Sequence, residues 1–385
     1  MPTPLPSHLS PSRSIHVIIS TKSGTEGAQQ YYDNTLRPIL DAHNVKPIVH
    51  TTTSTRSIID LTRQVFSLHA SRGIEQTILL LSGDGGLVDI VDTLHSHVLP
   101  HEQSDVSGNA STFVKPTILL FPLGTANAWA WSAGVASDPI KTLLEGKPKP
   151  LPSFEARFSP GAKLVTDEGR GREELPLNRE GDVAVVHGAV VASWGLHASL
   201  VAMSDTAEYR KHGIERFKMV AGKLLQEAHV YKGLVRTRKE GDGGWEVLRY
   251  PDRTPEDSSA EGEREHQHAY VLCTLVSNLE EKFRISPATK SLEGVIRLVA
   301  IRPDGPLEVM RLLGLAYQGG KHVEEQNVVY EAVESIRVEL EEDEEVWRQV
   351  CIDGKIIAVP KGGWFEVSID TRTVAELVFS SESGS

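Results

Sequence analysis

One carboxylate, Asp84, stands among the glycines of SGDGG (82–86), directly after the apolar run QTILLLS (76–82) and before the apolar spacing Leu87, Ile90, Val91, Leu94. An acid in a loop stripped of side chains is costly to desolvate if nothing engages it. Gly83, Gly85 and Gly86 let a ligand approach the backbone, and the following helix start offers free N–H groups and about half a positive charge to an anion, which points to a phosphate. A carboxylate repels phosphate unless it holds a metal or takes a proton, so Asp84 is a candidate base or magnesium partner. It is equally a candidate cap of the helix beginning near Gly86.

PLGTANAWA (122–130) repeats the arrangement: a strand, a glycine and a helix start, with Thr125 and Asn127 as short hydrogen-bond donors beside Gly124. An exposed helix end contributes only about 0.3–1 kcal/mol, whereas millimolar affinity needs about 4 kcal/mol. More positive charge must come from elsewhere, and EYRKHGIERF (208–217) offers Arg210 and Arg216 as bidentate phosphate ligands. The same segment also reads as a solvated basic helix face. Neither GxxxxGK[ST] nor GxGxxG is present, which disfavours the common nucleotide sites.

These turns need a scaffold. SIHVIIS (14–20), KPIVHT (46–51), QTILLLS (76–82) and PTILLFP (116–122) read as buried strands alternating with helical spacing such as Ile58, Leu61, Val65, Leu68. That alternation predicts a parallel sheet with helices on its faces. After about residue 150 the texture becomes alternating, in AVVASWG, AYVLCTLVS, GVIRLVAI, SIRVELE, WFEVSI and AELVFS, and predicts antiparallel strands. One helix is expected over 207–229, with Ile214, Phe217, Ala221, Leu224 and Leu225 on one face. The polar stretches 161–182 and 239–267 read as long hairpin loops, in part disordered.

The chain has 385 residues, 39% hydrophobic and 24% charged, enough for two domains. A formal net charge of −12 argues against a polynucleotide partner, because phosphate backbones are held by clustered Lys and Arg. The two cysteines, Cys273 and Cys351, lack metal-type spacing and indicate neither a disulfide framework nor a zinc site. The N-terminus has no signal-peptide h-region and no run of about 18 apolar residues occurs, so a soluble, cytoplasmic protein is expected.

SGDGG followed by PLGTANAWA resembles the SGDG and P-x-G-[ST]-x-N signatures of the diacylglycerol kinase catalytic domain superfamily. WGLHASLVAMSDTAEYRKHGIERF is similar to the sphingosine (long-chain base) kinase stretch ending in Y-R-x-x-G-x-x-R-F, and CIDGKI to V-D-G-E. The resemblance implies a Rossmann-like α/β nucleotide domain over 14–150 and an antiparallel β-sandwich lipid domain over 151–385, with ATP and Mg2+ between them. It implies that Asp84 activates the lipid hydroxyl, with Gly83, Gly85 and Gly86 around the phosphates. Ser23, Gly24, Thr52, Gly124, Thr125 and Asn127 would contact nucleotide, Arg210 and Arg216 the β and γ phosphates, and Asp353 and Gly354 would complete the site. Asp84 and Asp353 are then the implied metal ligands.

The departures are specific. Ser20 stands where the family's first loop has Asn, Gly27 where it has Lys, and Lys355 where V-D-G-E has a carboxylate. The lipid-recognising A-D-x-D is replaced by Ala198, Ser199, Leu200 and Val201; the nearest acids are Asp205 and Glu208, and Asp205 is equally a helix cap.

The leading expectation is an ATP-dependent lipid kinase acting on the primary hydroxyl of a sphingoid base. A diacylglycerol or related glycerolipid kinase is the neighbouring reading, and a catalytically impaired lipid-binding homologue the reading from another class. The lipid acceptor implies peripheral contact with intracellular membranes, and the sequence is compatible with a homodimer.

Overall fold

A computed structural model describes residues 5–380 except 25, 99–112, 179, 214, 240, 242 and 252–264. Four apolar runs form the parallel strands β1 (Ser14–Ile19), β2 (Ile48–Thr51), β3 (Gln76–Ser82) and β4 (Thr117–Pro122). They lie in the order β2-β1-β3-β4. Every residue of β3 is buried, as expected of a central strand covered on both faces. The edge strand β2 leaves Ile48 and Val49 exposed. Helices α1 (residues 28–42), α2 (residues 57–71) and α3 (Asp84–Val98) connect the strands. On α3, Leu87, Ile90, Val91 and Leu94 enter the core, as their spacing requires.

The chain continues through α4 (Ala128–Ser132) and α5 (Pro139–Glu145) to strand β5 (Lys147–Pro150), which belongs to the same sheet. Then come two antiparallel sheets. One contains β6 (Ser153–Phe158), β9 (Ala184–Gly188), β11 (Tyr231–Arg238), β12 (Glu246–Val247), β17 (Ser335–Leu340) and β20 (Trp364–Asp370), in the order β12-β11-β17-β20-β6-β9, with β13 (Gln267–His268) paired to β11. The other, in the order β16-β15-β14-β10-β18-β19-β7-β8, contains β7 (Lys163–Thr166), β8 (Gly171–Glu174), β10 (Val191–Gly195), β14 (Tyr270–Thr274), β15 (Ile296–Ile301), β16 (Val328–Val333), β18 (Gln349–Ile352) and β19 (Lys355–Ala358). Trp194 of β10 lies T-shaped, 5.8 Å from Tyr231 of β11, and one apolar core joins both sheets to α3 and α4. The fold is a parallel α/β sheet plus an antiparallel β-sandwich.

Three expectations change. AELVFS, which reads as an antiparallel strand of the second domain, forms β21 (Glu376–Phe379) and pairs parallel with β4 and antiparallel with β5. Its Leu377, Val378 and Phe379 are consecutively buried, the signature of a strand covered on both faces rather than of period-two alternation. A boundary at residue 150 therefore leaves one strand of the first body at the far end of the chain. The single helix over 207–229 is two, α7 (Ala207–Arg210) and α8 (Glu215–Glu227), after α6 (Leu196–Ser204). The turn between them contains Gly213 at φ +57°, a left-handed conformation that ends a helix; Ile214 lies outside the described residues. The stretch 161–182 contains the β7–β8 hairpin, and much of 239–267 lies outside the described residues. The last helix is α9 (Pro306–Ala316).

Because β21 enters the parallel sheet between β4 and β5 from the far end of the chain, Leu377→Ala should cost about 2–5 kcal/mol, as a buried leucine does when truncated. Urea unfolding measures this, and a loss within about 0.5 kcal/mol, the range of surface substitutions, would show that the strand is dispensable.

Candidate active site

The carboxyl ends of β1, β3 and β4 turn outward together, so three loops meet at one edge of the sheet, the usual ligand position in open parallel sheets. Their backbones touch. A Cβ on Gly124 would lie 2.3 Å from the Cα of Gly83, and one on Gly24, itself at φ +55°, would lie 2.4 Å from the Leu123 carbonyl oxygen. These glycines bring loop against loop, whereas their sequence context alone suggests ligand approach. Gly85 and Thr125, by contrast, are exposed and open to a ligand. Gly86 packs against Ser82 and Ile58.

Side chains lock the same loops. The Ser23 hydroxyl donates to Ser20 Oγ at 2.9 Å and lies 3.2 Å from Ser82 Oγ, so Ser20 joins a hydroxyl trio linking the first two loops. Thr52 Oγ1 accepts the Thr21 N–H at 3.2 Å. Asn127, left-handed at φ 57° and ψ 44°, accepts the Gly124 N–H and donates to the Gly124 carbonyl, both at 2.9 Å. Its amide is thus spent on the turn instead of projecting as a free donor.

Asp84 is the first residue of α3, and it reaches sideways. Its two oxygens accept the N–H groups of Ala128 at 2.6 Å and Trp129 at 3.0 Å, capping the neighbouring helix α4. Burial pushes its pKa up while those amides pull it down, the net being upward. Asp353 does the same from the sandwich. It sits at φ 50° beside Gly354 at φ 87°, the pair of positive angles that a two-residue β18–β19 hairpin uses. Its carboxylate accepts the N–H groups of Ala189 at 2.6 Å, Val190 at 3.1 Å and Val191 at 2.5 Å. Burial raises its pKa to about 7 despite these bonds.

One side chain connects the two. Trp129, whose N–H meets Asp84, donates its indole Nε1–H to the Ala189 carbonyl at 2.9 Å, and the Ala189 N–H meets Asp353. The relay Asp84–Trp129–Ala189–Asp353 thus crosses from the parallel sheet to the sandwich. The structure brings these two acids into one network, each as an acceptor of backbone amides.

Lys355 points at α3. Its Nζ lies 2.6 Å from Asp92 Oδ2 and 3.6 Å from Asp89 Oδ1. Burial raises Asp89 to about 6 even with that ammonium nearby. On Asp92 burial pushes upward, but Lys355 and His187 outweigh it and hold the carboxyl well below the usual range. Sequence reasoning misses this triad; two acids three residues apart among the core-facing apolar residues of α3 are the available signal.

A cavity of about 610 Å³ opens at the junction. Thr55 lines it from the parallel-sheet side, and Asp167, Glu168, Asp205, Arg210, Gly354 and Lys355 from the sandwich side. Asp167 and Glu168 occupy consecutive left-handed positions at φ 49° and 55°, a strained turn held against the cavity. Arg210 is paired with Asp205 at 3.0 Å and Glu168 at 3.6 Å, so a phosphate would have to displace those acids. Glu208 is exposed and does not line this cavity. Neither does Arg216, which lies over the ring of Phe217 with its Nε unpartnered among the described residues.

Replacing Lys355 by Met leaves Asp89 and Asp92 without their buried cation, an error that typically costs about 3–5 kcal/mol. Removing the ammonium raises the Asp89 pKa further above about 6, so protonation relieves the repulsion as the pH falls. The loss, measured by urea unfolding, should therefore be smaller at pH 5 than at pH 7.5. Equal losses would refute the assigned role of Asp89.

Comparison with known proteins follows the same outline. Residues 14–152 match the family model of the diacylglycerol kinase catalytic domain. No match to a curated protein was found. A diacylglycerol kinase structure from Bacillus anthracis strain Sterne is 13% identical, with a TM-score of 0.56, over 97% of this chain and 99% of that one. Two further structures from that strain, described provisionally as diacylglycerol kinases, have TM-scores of 0.59 at 14% and 13% identity over the same shares. At such identity the likeness shows the fold. Together with the matched catalytic domain, it supports a lipid kinase.

Proposed function

We propose that the protein transfers the γ-phosphoryl group of ATP to the primary hydroxyl of a sphingoid base. The observation that carries this reading is the junction cavity, where Asp167, Glu168 and Asp205 line the wall with Arg210 and Lys355. A sphingoid amine is cationic and would pair with those carboxylates, which stand in for the absent A-D-x-D acids. The second reading, a diacylglycerol or related glycerolipid acceptor, is favoured by what the similar Bacillus structures are called.

The nucleotide would lie over the three loops, with its phosphates at Gly85, Thr125 and the start of α3. Lys22 and Arg56, exposed beside these loops and without an ion-pair partner among the described residues, add the positive charge that the paired Arg210 does not supply. The donor set does not form a cage for Mg2+, because Asp84 and Asp353 already accept two and three backbone amides. The ion would travel on the triphosphate, keep most of its waters and neutralise charge there.

Asp84, beside the exposed Gly85, with only one amide on each oxygen and its pKa pushed up by burial, takes the proton from the acceptor hydroxyl, while Asp353 fixes the β18–β19 hairpin. The alcohol oxygen then bonds to the γ-phosphorus as the bond to the β-phosphate oxygen breaks and ADP leaves. The exposed Leu307 and Met310 of α9 and Met219 of α8 offer apolar contact to a membrane surface. Among the described residues no helix is long and apolar enough to cross one.

Purified protein with labelled ATP should phosphorylate sphinganine in preference to diacylglycerol. Asp84→Asn should lower kcat by about 100-fold or more, the scale of general-base catalysis. Glu168→Gln with Asp205→Asn should raise KM for sphinganine and leave diacylglycerol unaffected. Preference for diacylglycerol with no effect of the double variant would establish the second reading instead.

A further inference from the structure

Away from the cavity, a second polar cluster is buried where α3 meets the seven-stranded sheet. His95 comes from α3, His187 from β9, Glu155 from β6 and Asp370 from the end of β20. Glu155 and His187 are direct cross-strand partners. The two imidazoles stack with centroids 4.2 Å apart and planes 5° apart, and their edges face the carboxylates. His95 Nδ1 lies 3.3 Å from Asp370 Oδ2, while His187 Nε2 lies 3.8 Å from the same oxygen and 3.6 Å from Glu155 Oε2.

Three ring nitrogens here, His95 Nδ1 and both nitrogens of His187, are buried without a hydrogen-bond partner among the described residues. His95 is 3% exposed and His187 6%, so water does not compensate them. Buried polar atoms of this kind call for a ligand. His95, His187 and Asp370 each place one donor atom within 4.8 Å of the others.

We propose that His95, His187 and Asp370, with Glu155 beside His187, form a binding site for one divalent transition-metal ion of the zinc class. A tetrahedral site with metal–ligand bonds of about 2.1 Å has donor–donor edges of about 3.4 Å, close to the three separations just given. Two neutral imidazoles and two carboxylates balance a charge of +2, and the mixed nitrogen and oxygen set suits zinc, cobalt or nickel better than magnesium or calcium. Because the stacked rings run side by side, binding would tilt them so that both lone pairs converge.

The groups that orient such ligands are also present. Ser153 Oγ lies 3.0 Å from His95 Nε2, leaving Nδ1 for the ion. Asp92 Oδ1 stands 3.6 Å from His187 Nδ1, an acid–imidazole–metal arrangement. Arg372 holds Asp370, and Arg157 takes the other oxygen of Glu155. The ion would tie α3 to the sandwich independently of nucleotide and lipid. Cysteine counting and spacing have no means of finding it, since the ligands are spread from residue 95 to residue 370.

The test uses the full chain, stripped with chelator and titrated with Zn2+ against a chromophoric competitor. Wild type should bind one equivalent, and His95→Gln and Asp370→Asn should each weaken binding by about 100-fold or more, since even orienting groups contribute about 10–100-fold. His16→Gln, which alters a separate histidine pair, should bind like wild type. Co2+ added to wild type should give the visible absorption of a tetrahedral site, a readout that needs no variant. Equal Zn2+ binding by wild type, His95→Gln and Asp370→Asn, or no visible Co2+ band with wild type, would overturn the proposal. None of these readouts involves phosphoryl transfer, so the outcome is separable from that of the kinase reading.

Discussion

Two carboxylates that would be costly to desolvate are satisfied here by backbone amides, and much of the domain junction follows from that constraint. Asp84 has to find donors within a glycine-rich turn, and the nearest are the first free N–H groups of α4. Asp353 has to find them beneath a tight hairpin, and takes those at residues 189–191. Trp129 converts two local solutions into one by spanning from the first acid to the Ala189 carbonyl. Each carboxylate fixes the backbone of a neighbouring loop.

The same logic accounts for two residues that differ from the signatures the chain resembles. Ser20 loses an amide side chain but gains a place in a hydroxyl network with Ser23 and Ser82. Lys355 cannot ligate a metal, but its ammonium neutralises Asp89 and Asp92 where uncompensated acids would stand on a buried helix face. Both changes leave the junction internally satisfied.

The parallel sheet is legible because its strands are apolar throughout and its helices keep a 3.6-residue period, signals local enough to read from one sequence. The paired turns are legible because glycine directly after a buried strand marks a place where backbone must come close to something. Pairing at a distance is what a single sequence hides: β21 returning across the chain, Trp129 reaching Ala189, Lys355 reaching α3. Asn127 stands out as a special residue but suggests an outward-facing role, because a side chain bonded to its own turn and one waiting for a ligand have the same local sequence. Glu168 gives no signal of its own, since its importance rests on a left-handed turn facing a cavity formed by other elements.

The claim that the two acids act through one connected network is tested most directly by a double-mutant cycle in unfolding free energy with Asp84→Ala and Asp353→Ala. Residues coupled through a shared network show interaction energies of about 0.5–3 kcal/mol, whereas independent sites add within about 0.3–0.5 kcal/mol. The relay through Trp129 and Ala189 predicts a coupling in the first range. Strict additivity would mean that each carboxylate serves only its own loop.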